Sequence, residues 1–388
     1  MPPETLRILP DGQIRKMKSF DVGKYLRKNP PPECSFQRKC SVAVVIPAYD
    51  ENDSIDSTVD SVISAAKYAE IEVAIIVVIN YPAGAQKAES EKLYHDFQNG
   101  KFPSCVQAIY LPELTGGVGA ARKAGMDVFI STVPPEDMEK SAIYSLDADT
   151  VVARDYFLST LPEILKGGAV SLPFTHQKSS DCTIQQAIEK YEAYLHRYVD
   201  KLEYAASPYA FFTIGSAFAV RCDSYLRAGG MKIRSAGEDF YFLQAVAKSS
   251  SVRQLEGKPL VFPSPRISRR VPFGTGPAVA SLVEGKALNE IPDAAFEELK
   301  VFLAEFAPDE ALKNVPETIG KLSAVSREFI VAEKFPAAWE RIAGNLPDTP
   351  EKRQKAFHEW FDALKTLKFL HFFSDFSKFT VDNKHFKG

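Results

Sequence analysis

The chain has 388 residues, 45% hydrophobic and 25% charged, with a formal net charge of −3. That is an ordinary globular composition, long enough for one large domain plus an appendage, and the small net charge argues against nucleic acid as a main partner. Five cysteines, odd in number and never spaced as Cys-x-x-Cys, indicate neither a disulfide framework nor a structural zinc site, and no apolar stretch reaches the roughly eighteen residues of a membrane span, so the expected home is a reducing cytoplasm.

Residues 1–40 are polar, basic at Arg15, Lys16, Lys18, Lys24, Arg27 and Lys28, and close on Pro30-Pro31-Pro32; they read as a solvated arm. The β-branched run Val42–Ile46 predicts a strand, Pro47-Ala48-Tyr49-Asp50-Glu51 a loop, and Ile55, Val59, Val62, Ile63 and Ala66 an amphipathic helix. Val73–Ile79 is apolar without alternation, as expected of a strand buried on both faces of a parallel sheet, and Val106–Leu111 predicts a third strand. A glycine-rich turn from Thr115 then opens a helix reaching about Ile130, and the apolar run Ala142–Leu146 ends in Asp147-Ala148-Asp149. At or just past a strand end two such carboxylates share a direction. The pair is too sparse to cage calcium but suits a magnesium or manganese ion that draws its other ligands from phosphates and water. Strands alternating with helices predict a doubly wound α/β sheet, whose ligands bind beyond the carboxyl ends of its strands, the edge on which Tyr49, Asn80, Gly117 and Asp147 fall.

In the second half, Ala169–Phe174 predicts a strand, Thr183 to about Ala205 a long helix, and Thr213–Arg221, containing Gly215 and Ser216, a further strand. Glu238 and Asp239 open an apolar helix running to Val246. Acidic residues there stabilise a helix N-terminus by ~0.3–1 kcal/mol without any catalytic role, which is the plainer of two readings. Arg266, Arg269 and Arg270, followed by Gly274 and Gly276, form either a phosphate-binding turn or a solvated surface loop. From about Leu282 the pattern is helical. Phe357, Trp360, Phe361, Leu364 and Leu367 form an apolar stripe with Lys352, Lys355, Lys365 and Lys368 off it, and Phe369, Leu370, Phe372, Phe373, Phe376 and Phe379 follow. So much apolar surface needs cover from the protein itself, from a second subunit in a dimer, or from peripheral contact with a membrane interface.

Taken in order, these motifs resemble the family 2 glycosyltransferases of GT-A fold, over roughly residues 41–280. Val44–Glu51 is similar to the family's first strand and its Pro-x-Tyr/Phe-Asn-Glu loop, Gly117 with Ala121–Gly125 to its Gly-x-x-x-Ala-Arg-Asn-x-Gly helix start, and Asp147-Ala148-Asp149 to its Asp-x-Asp motif. Gly215–Arg221 is similar to the acceptor-side strand, and Glu238-Asp239 to the Glu-Asp pair whose aspartate is the base of inverting members. The resemblance implies donor contacts from Pro47, Ala48, Tyr49, Glu51, Asn80, Gly117, Arg122, Asp147, Arg269 and Arg270, metal ligation of Mn2+ or Mg2+ by Asp147 and Asp149, an acceptor side at Gly215 and Ser216, and catalysis by Asp239 with Glu238 beside it. Three departures stand out. Ile79-Asn80-Tyr81-Pro82 replaces the usual Asp-Asp-Gly-Ser, Thr115 replaces an asparagine, and Lys123 follows Arg122 where asparagine is usual. The Gln-x-x-Arg-Trp motif and membrane helices of the processive synthases are absent, so single transfer is expected.

The expected organisation is an N-terminal arm (1–40), an α/β GT-A domain with a doubly wound mixed sheet (41–280) and a helical C-terminal appendage (281–388). The expected activity is metal-dependent, inverting transfer from a UDP- or GDP-sugar to an unidentified hydroxyl acceptor, a retaining course staying open. Two alternatives stand beside it. A nucleotidyltransferase would carry a glycine-rich basic loop after its first strand, whereas a non-catalytic nucleotide-sugar-binding protein would have no need of the carboxylates.

Overall fold

A short antiparallel hairpin, β1 (Leu6–Ile8) with β2 (Ile14–Lys16), and helix α1 (Val22–Lys28) precede the main sheet. Strands β3 (Val42–Ala48) and β4 (Val73–Asn80) are buried at every position, because helices cover both faces of the sheet and leave no side on which a polar residue would be solvated. Helix α2 (Ile55–Tyr68) joins them, and α3 (Ala88–Gln98) leads to β5 (Val106–Leu111); α4 (Gly117–Thr132) then leads to β6 (Ala142–Ser145). The chain continues through β7 (Val151–Val152), α5 (Tyr156–Leu165), β8 (Ala169–Ser171), α6 (Cys182–Tyr204), β9 (Phe218–Arg221), α7 (Cys222–Arg227), α8 (Glu238–Ser249), β10 (Val252–Gln254) and β11 (Val261–Phe262). The computed structural model describes residues 6–8, 14–16, 21–34, 36, 40–234, 236–267 and 274–385, with side chains between 21 and 375.

Seven strands form one sheet in the order β10-β8-β9-β6-β3-β4-β5, and β9 alone runs antiparallel to its neighbours. This arrangement places the site. The carboxyl ends of β3, β4 and β6 share one edge, and because β9 is reversed its beginning reaches the same edge, with Phe218 opposite Ser145. The strand predicted over Thr213–Arg221 is shorter than expected: Gly215 and Ser216 sit in a turn just before β9. Likewise Pro47 and Ala48 belong to β3 rather than to the loop after it. A proline is tolerated in so central a strand for a local reason. Val45 O accepts from Leu146 N at 3.1 Å, so by alternation the nitrogen of Pro47 faces the β6 side, where β6 has already given way to the Asp-x-Asp turn and no ladder bond is lost.

Helix α4 lies close on the sheet because of Gly125, where an added Cβ would come within 2.5 Å of Val45 Cγ1 and 2.9 Å of Val78 Cγ2. That close approach leaves Arg122, one turn earlier, at the carboxyl edge. The solvated-arm reading of the N-terminal region does not hold for α1. Tyr25 OH and Tyr225 OH each donate to Asp127 Oδ1 at 2.7 Å, Lys123 Nζ lies 2.6 Å from Asp127 Oδ2, and a Cβ on Gly230 would collide with the Tyr25 hydroxyl at 1.9 Å. Burial and the neighbouring Asp127 charge raise the Tyr25 pKa, which keeps the phenol protonated as a donor.

The chain divides into two compact units, one comprising residues 1–177, 213–265 and 271–273, the other 178–212, 266–270 and 274–388. Sequence reading placed the boundary near residue 280, with α6 in the first domain; α6 instead belongs to the helical unit. Its Ala187 and Ile188 pack with Val279, and Leu202 and Ala205 join the core of Phe296, Phe302, Phe306, Phe335 and Phe357. That unit also holds α9 (Thr275–Val283), α10 (Asp293–Phe306), α11 (Asp309–Lys313), α12 (Val315–Lys321), α13 (Ala324–Ala332), α14 (Phe335–Ala343), α15 (Pro350–Trp360) and α16 (Ala363–His385). The C-terminal stripe, read as one helix, is split at Phe361-Asp362, where the Asp362 carboxylate accepts from Lys365 N at 3.0 Å and caps a new helix. Phe357, Phe361, Phe369 and Leu370 are buried inside this unit, with Trp360, Leu367, Phe372 and Phe373 packed against them. Much of the apolar surface is therefore covered internally; the side chains of Phe376 and Phe379 lie outside the described residues. Among the described residues no helix is long and apolar enough to cross a membrane.

Candidate active site

The turn after β6 carries the two aspartates. Thr150 N returns to Asp147 O at 3.1 Å, Thr58 Oγ1 from α2 donates to Ala148 O at 2.9 Å, and Gln177 Nε2 donates to Asp149 O at 3.0 Å and to Phe262 O at 2.8 Å. With the backbone held at three points, Asp147 keeps a fixed direction while its side chain stays 38% exposed.

Arg122 lies beneath it on α4. The guanidinium is 3% exposed and each of its three nitrogens donates to a protein oxygen: Nε to Glu238 Oε1 at 3.0 Å, Nη1 to Ser145 Oγ at 2.7 Å and Nη2 to Asp147 Oδ1. Burial alone would lower the pKa of Arg122, but the charges of Asp147 and Glu238 outweigh it and raise the value, so the group is a permanent cation. Ser145 Oγ in turn donates a hydrogen bond to Gly215 O at 2.6 Å, which ties the turn before β9 into the cluster. Helix α8 starts at Gly237, whose φ of 69° is the left-handed conformation that favours glycine, and presents Glu238 and Asp239 in its first turn. Glu238 is buried against Arg122. Asp239 Oδ1 accepts only its neighbour's amide among the bonds described, Phe240 N at 2.7 Å, and its pKa is pushed up to about 7, first by burial and next by the adjacent Glu238 charge, with Arg122 pulling the other way.

Among the described residues three carboxylates thus surround one guanidinium, which leaves negative charge in excess there when all are ionised. Among the described residues no group of three His, Cys, Asp or Glu side chains is placed to hold a metal by itself. The donor set nonetheless fits a hard divalent ion in kind: Asp147, one oxygen of which Arg122 already engages, and Asp149 supply carboxylate oxygens, and the excess charge favours a cation whose other ligands come from phosphate and water. Residues predicted to meet the nucleotide lie on the same edge, one and two strands over. Tyr49 and Glu51 follow β3, and Glu51 is engaged locally, accepting from Ser54 Oγ at 3.0 Å; Asn80 ends β4 and is buried. Gly117 opens α4 with a φ of 63°. Arg269 and Arg270 lie outside the described residues. Sequence reasoning missed Ser145 and Gln177, although a serine closing an otherwise apolar buried strand, directly before Asp-x-Asp, was a signal available to it.

Residues 43–227 match the family profile described as glycosyl transferase family 2. Over that span the chain is a family 2 glycosyltransferase domain. Its sheet is mixed, with β9 the reversed strand, and the chain carries a helical unit besides. No curated protein sequence matches that of this glycosyltransferase. Among solved structures it is similar to TarS 1–349 of S. aureus in complex with UDP-GlcNAc, at a TM-score of 0.41 and 12% identity, covering 76% of this chain and 80% of that one. It is also similar to the mannosyltransferase PcManGT of Pyrobaculum calidifontis in complex with GDP-Man and Mn2+, at 0.39 and 12%, covering 87% and 93%. A third is glucosyl-3-phosphoglycerate synthase of Mycobacterium tuberculosis with UDP, at 0.34 and 12%, covering 63% and 79%.

Proposed function

We propose that this glycosyltransferase moves a single sugar from a nucleoside-diphosphate donor to a hydroxyl acceptor, with inversion, and that a divalent ion on Asp147 and Asp149 takes part. The observation that carries the reading is the unbalanced cluster at the carboxyl edge of the sheet, in which Asp147, Glu238 and Asp239 face a single buried arginine. What the ion supplies when bound is Lewis-acid neutralisation of charge on the leaving diphosphate. The chain's own residues do the rest. Asp147 and Asp149 present oxygens at a rim held by Thr58 and Gln177, and Arg122 keeps Asp147 and Glu238 in place. Asp239, with a pKa near neutrality, is poised to take the proton of the acceptor hydroxyl as that oxygen attacks the anomeric carbon from the face opposite the diphosphate. With a pKa close to the working pH, a substantial fraction of the carboxyl is ionised and free to accept a proton, as a general base requires.

The test is a binding and hydrolysis screen of UDP-, GDP- and other nucleotide sugars in the presence of manganese, repeated with chelator. Saturable binding of one donor class that chelator weakens supports the reading. Failure of every nucleotide sugar to bind would return the cluster to a structural ion network, and binding without any hydrolysis or transfer would favour the non-catalytic alternative.

A further inference from the structure

Arg122 stands at the position where the resemblance implies a donor contact, yet its surroundings describe another task. The guanidinium is buried to 3% exposure and spends one bond from each nitrogen on the protein: on Asp147 in the turn after β6, on Ser145 at the end of β6, and on Glu238 at the start of α8. Gly215 closes the remaining side. A Cβ there would stand 2.5 Å from Arg122 Nη2 and 3.2 Å from Cζ, so the backbone of the turn before β9 rests directly against the guanidinium. Four separate segments, α4, β6 with its turn, the turn before β9, and α8, therefore meet at this one side chain. A planar fork with five donors makes such a junction, whereas an ammonium, a point charge with rotatable donors, does not reproduce its geometry.

We infer that Arg122 is a positioning residue that orients the metal carboxylate Asp147 and the Glu238-Asp239 helix start from behind, and is not a ligand of the donor. The inference rests on the reading of Asp147 given above. A carboxylate that binds a metal is itself held by an outer hydrogen-bond partner, and losing that partner typically costs roughly 10- to 100-fold in metal affinity. The loss should then appear where the metal contributes. A donor ligand would behave differently, since removing it weakens the nucleotide whether or not metal is present.

The experiment measures the affinity of full-length protein for UDP and GDP by calorimetry, with manganese and with chelator, in wild type and R122K. The expected result is a fall of about 10- to 100-fold in R122K confined to the manganese arm. An equal fall in both arms makes Arg122 a nucleotide contact and overturns the inference, as does an unchanged manganese-dependent gain. Should R122K fail to fold by thermal melt, S145A removes one partner of the guanidinium and keeps its charge; a smaller fall, again confined to the manganese arm, is expected, and no fall there refutes the positioning role. If wild type binds neither diphosphate in either arm, the nucleotide-donor reading fails first and this inference falls with it.

Discussion

Replacing Gly215 by alanine tests the geometry of the cluster without removing any of its charges. The added Cβ would lie 2.5 Å from Arg122 Nη2, 3.2 Å from Cζ and 3.5 Å from Asp239 Oδ2, so relief requires a displacement on the order of 1 Å at Nη2. A flexible arginine tip would normally yield at small cost. This one is pinned by Glu238, Ser145 and Asp147, and Ser145 is bonded to the carbonyl of Gly215 itself, so the collision and the restraint act on the same group. Overpacking of this kind costs about 1–3 kcal/mol, and a misplacement near 1 Å in a catalytic arrangement lowers turnover about 10²-fold. The expected outcome for G215A is a modestly lower melting temperature with kcat/KM reduced about 100-fold on the donor found by the screen. Thermal unfolding and steady-state kinetics on the same preparation check it. Wild-type turnover together with a wild-type melt would mean that the guanidinium moves freely, and the argument for a fixed junction would be wrong.

Asp239→Asn should reduce turnover by about 10²–10⁴-fold with little change in donor affinity, which single-turnover kinetics and calorimetry separate; near-normal turnover would return Asp239 to a helix-start charge. Because its carboxyl is pushed up to about 7, the base form gains population as pH rises through about 7, so the ascending limb of kcat/KM belongs there and not near the ordinary carboxylate value of about 4. The stability sign follows. A folded pKa above the unfolded one gives a contribution that is full below pH ~4 and lost as pH rises through about 7, so wild type and Asp239→Asn should converge in stability at low pH and separate above neutrality. Asp149→Ala should leave the melt intact and abolish the manganese-dependent part of nucleotide-sugar affinity, and equal calorimetric affinities in chelator and manganese for wild type would contradict that assignment. Tyr25→Phe removes a donor from Asp127 and should cost about 1–2 kcal/mol in urea unfolding, while an unchanged midpoint would mean that α1 is not anchored. Deleting residues 350–388 strips Phe357, Phe361, Phe369 and Leu370 from the core around Phe302 and Phe306 and should give insoluble protein; a soluble truncation, with full-length protein floating on anionic liposomes at low salt, would favour the membrane reading.

The apolar runs of β3 and β4 were legible because central strands in a parallel sheet carry their burial in composition, and the motifs at their ends were legible because a sheet edge collects its functional groups at strand termini. Local signals also announced the starts of α4 and α8, where glycines at Gly116 and Gly237 adopt positive φ and open each helix. Partnership between distant segments was not legible. Whether Glu238 was a helix-start charge or part of a site depended on Arg122, 116 residues away, and the tertiary structure alone joined them. The same holds for α6, whose amphipathic pattern demands an apolar neighbour without naming it, and which the fold gives to the C-terminal helices. It holds too for α1, a polar segment by composition that docks through one tyrosine on a buried aspartate. Periodicity and propensity act over a few residues and so can be read from the chain, whereas ion pairing, close backbone approach and the desolvation that lifts Asp239 depend on distances in space that only the closed sheet sets.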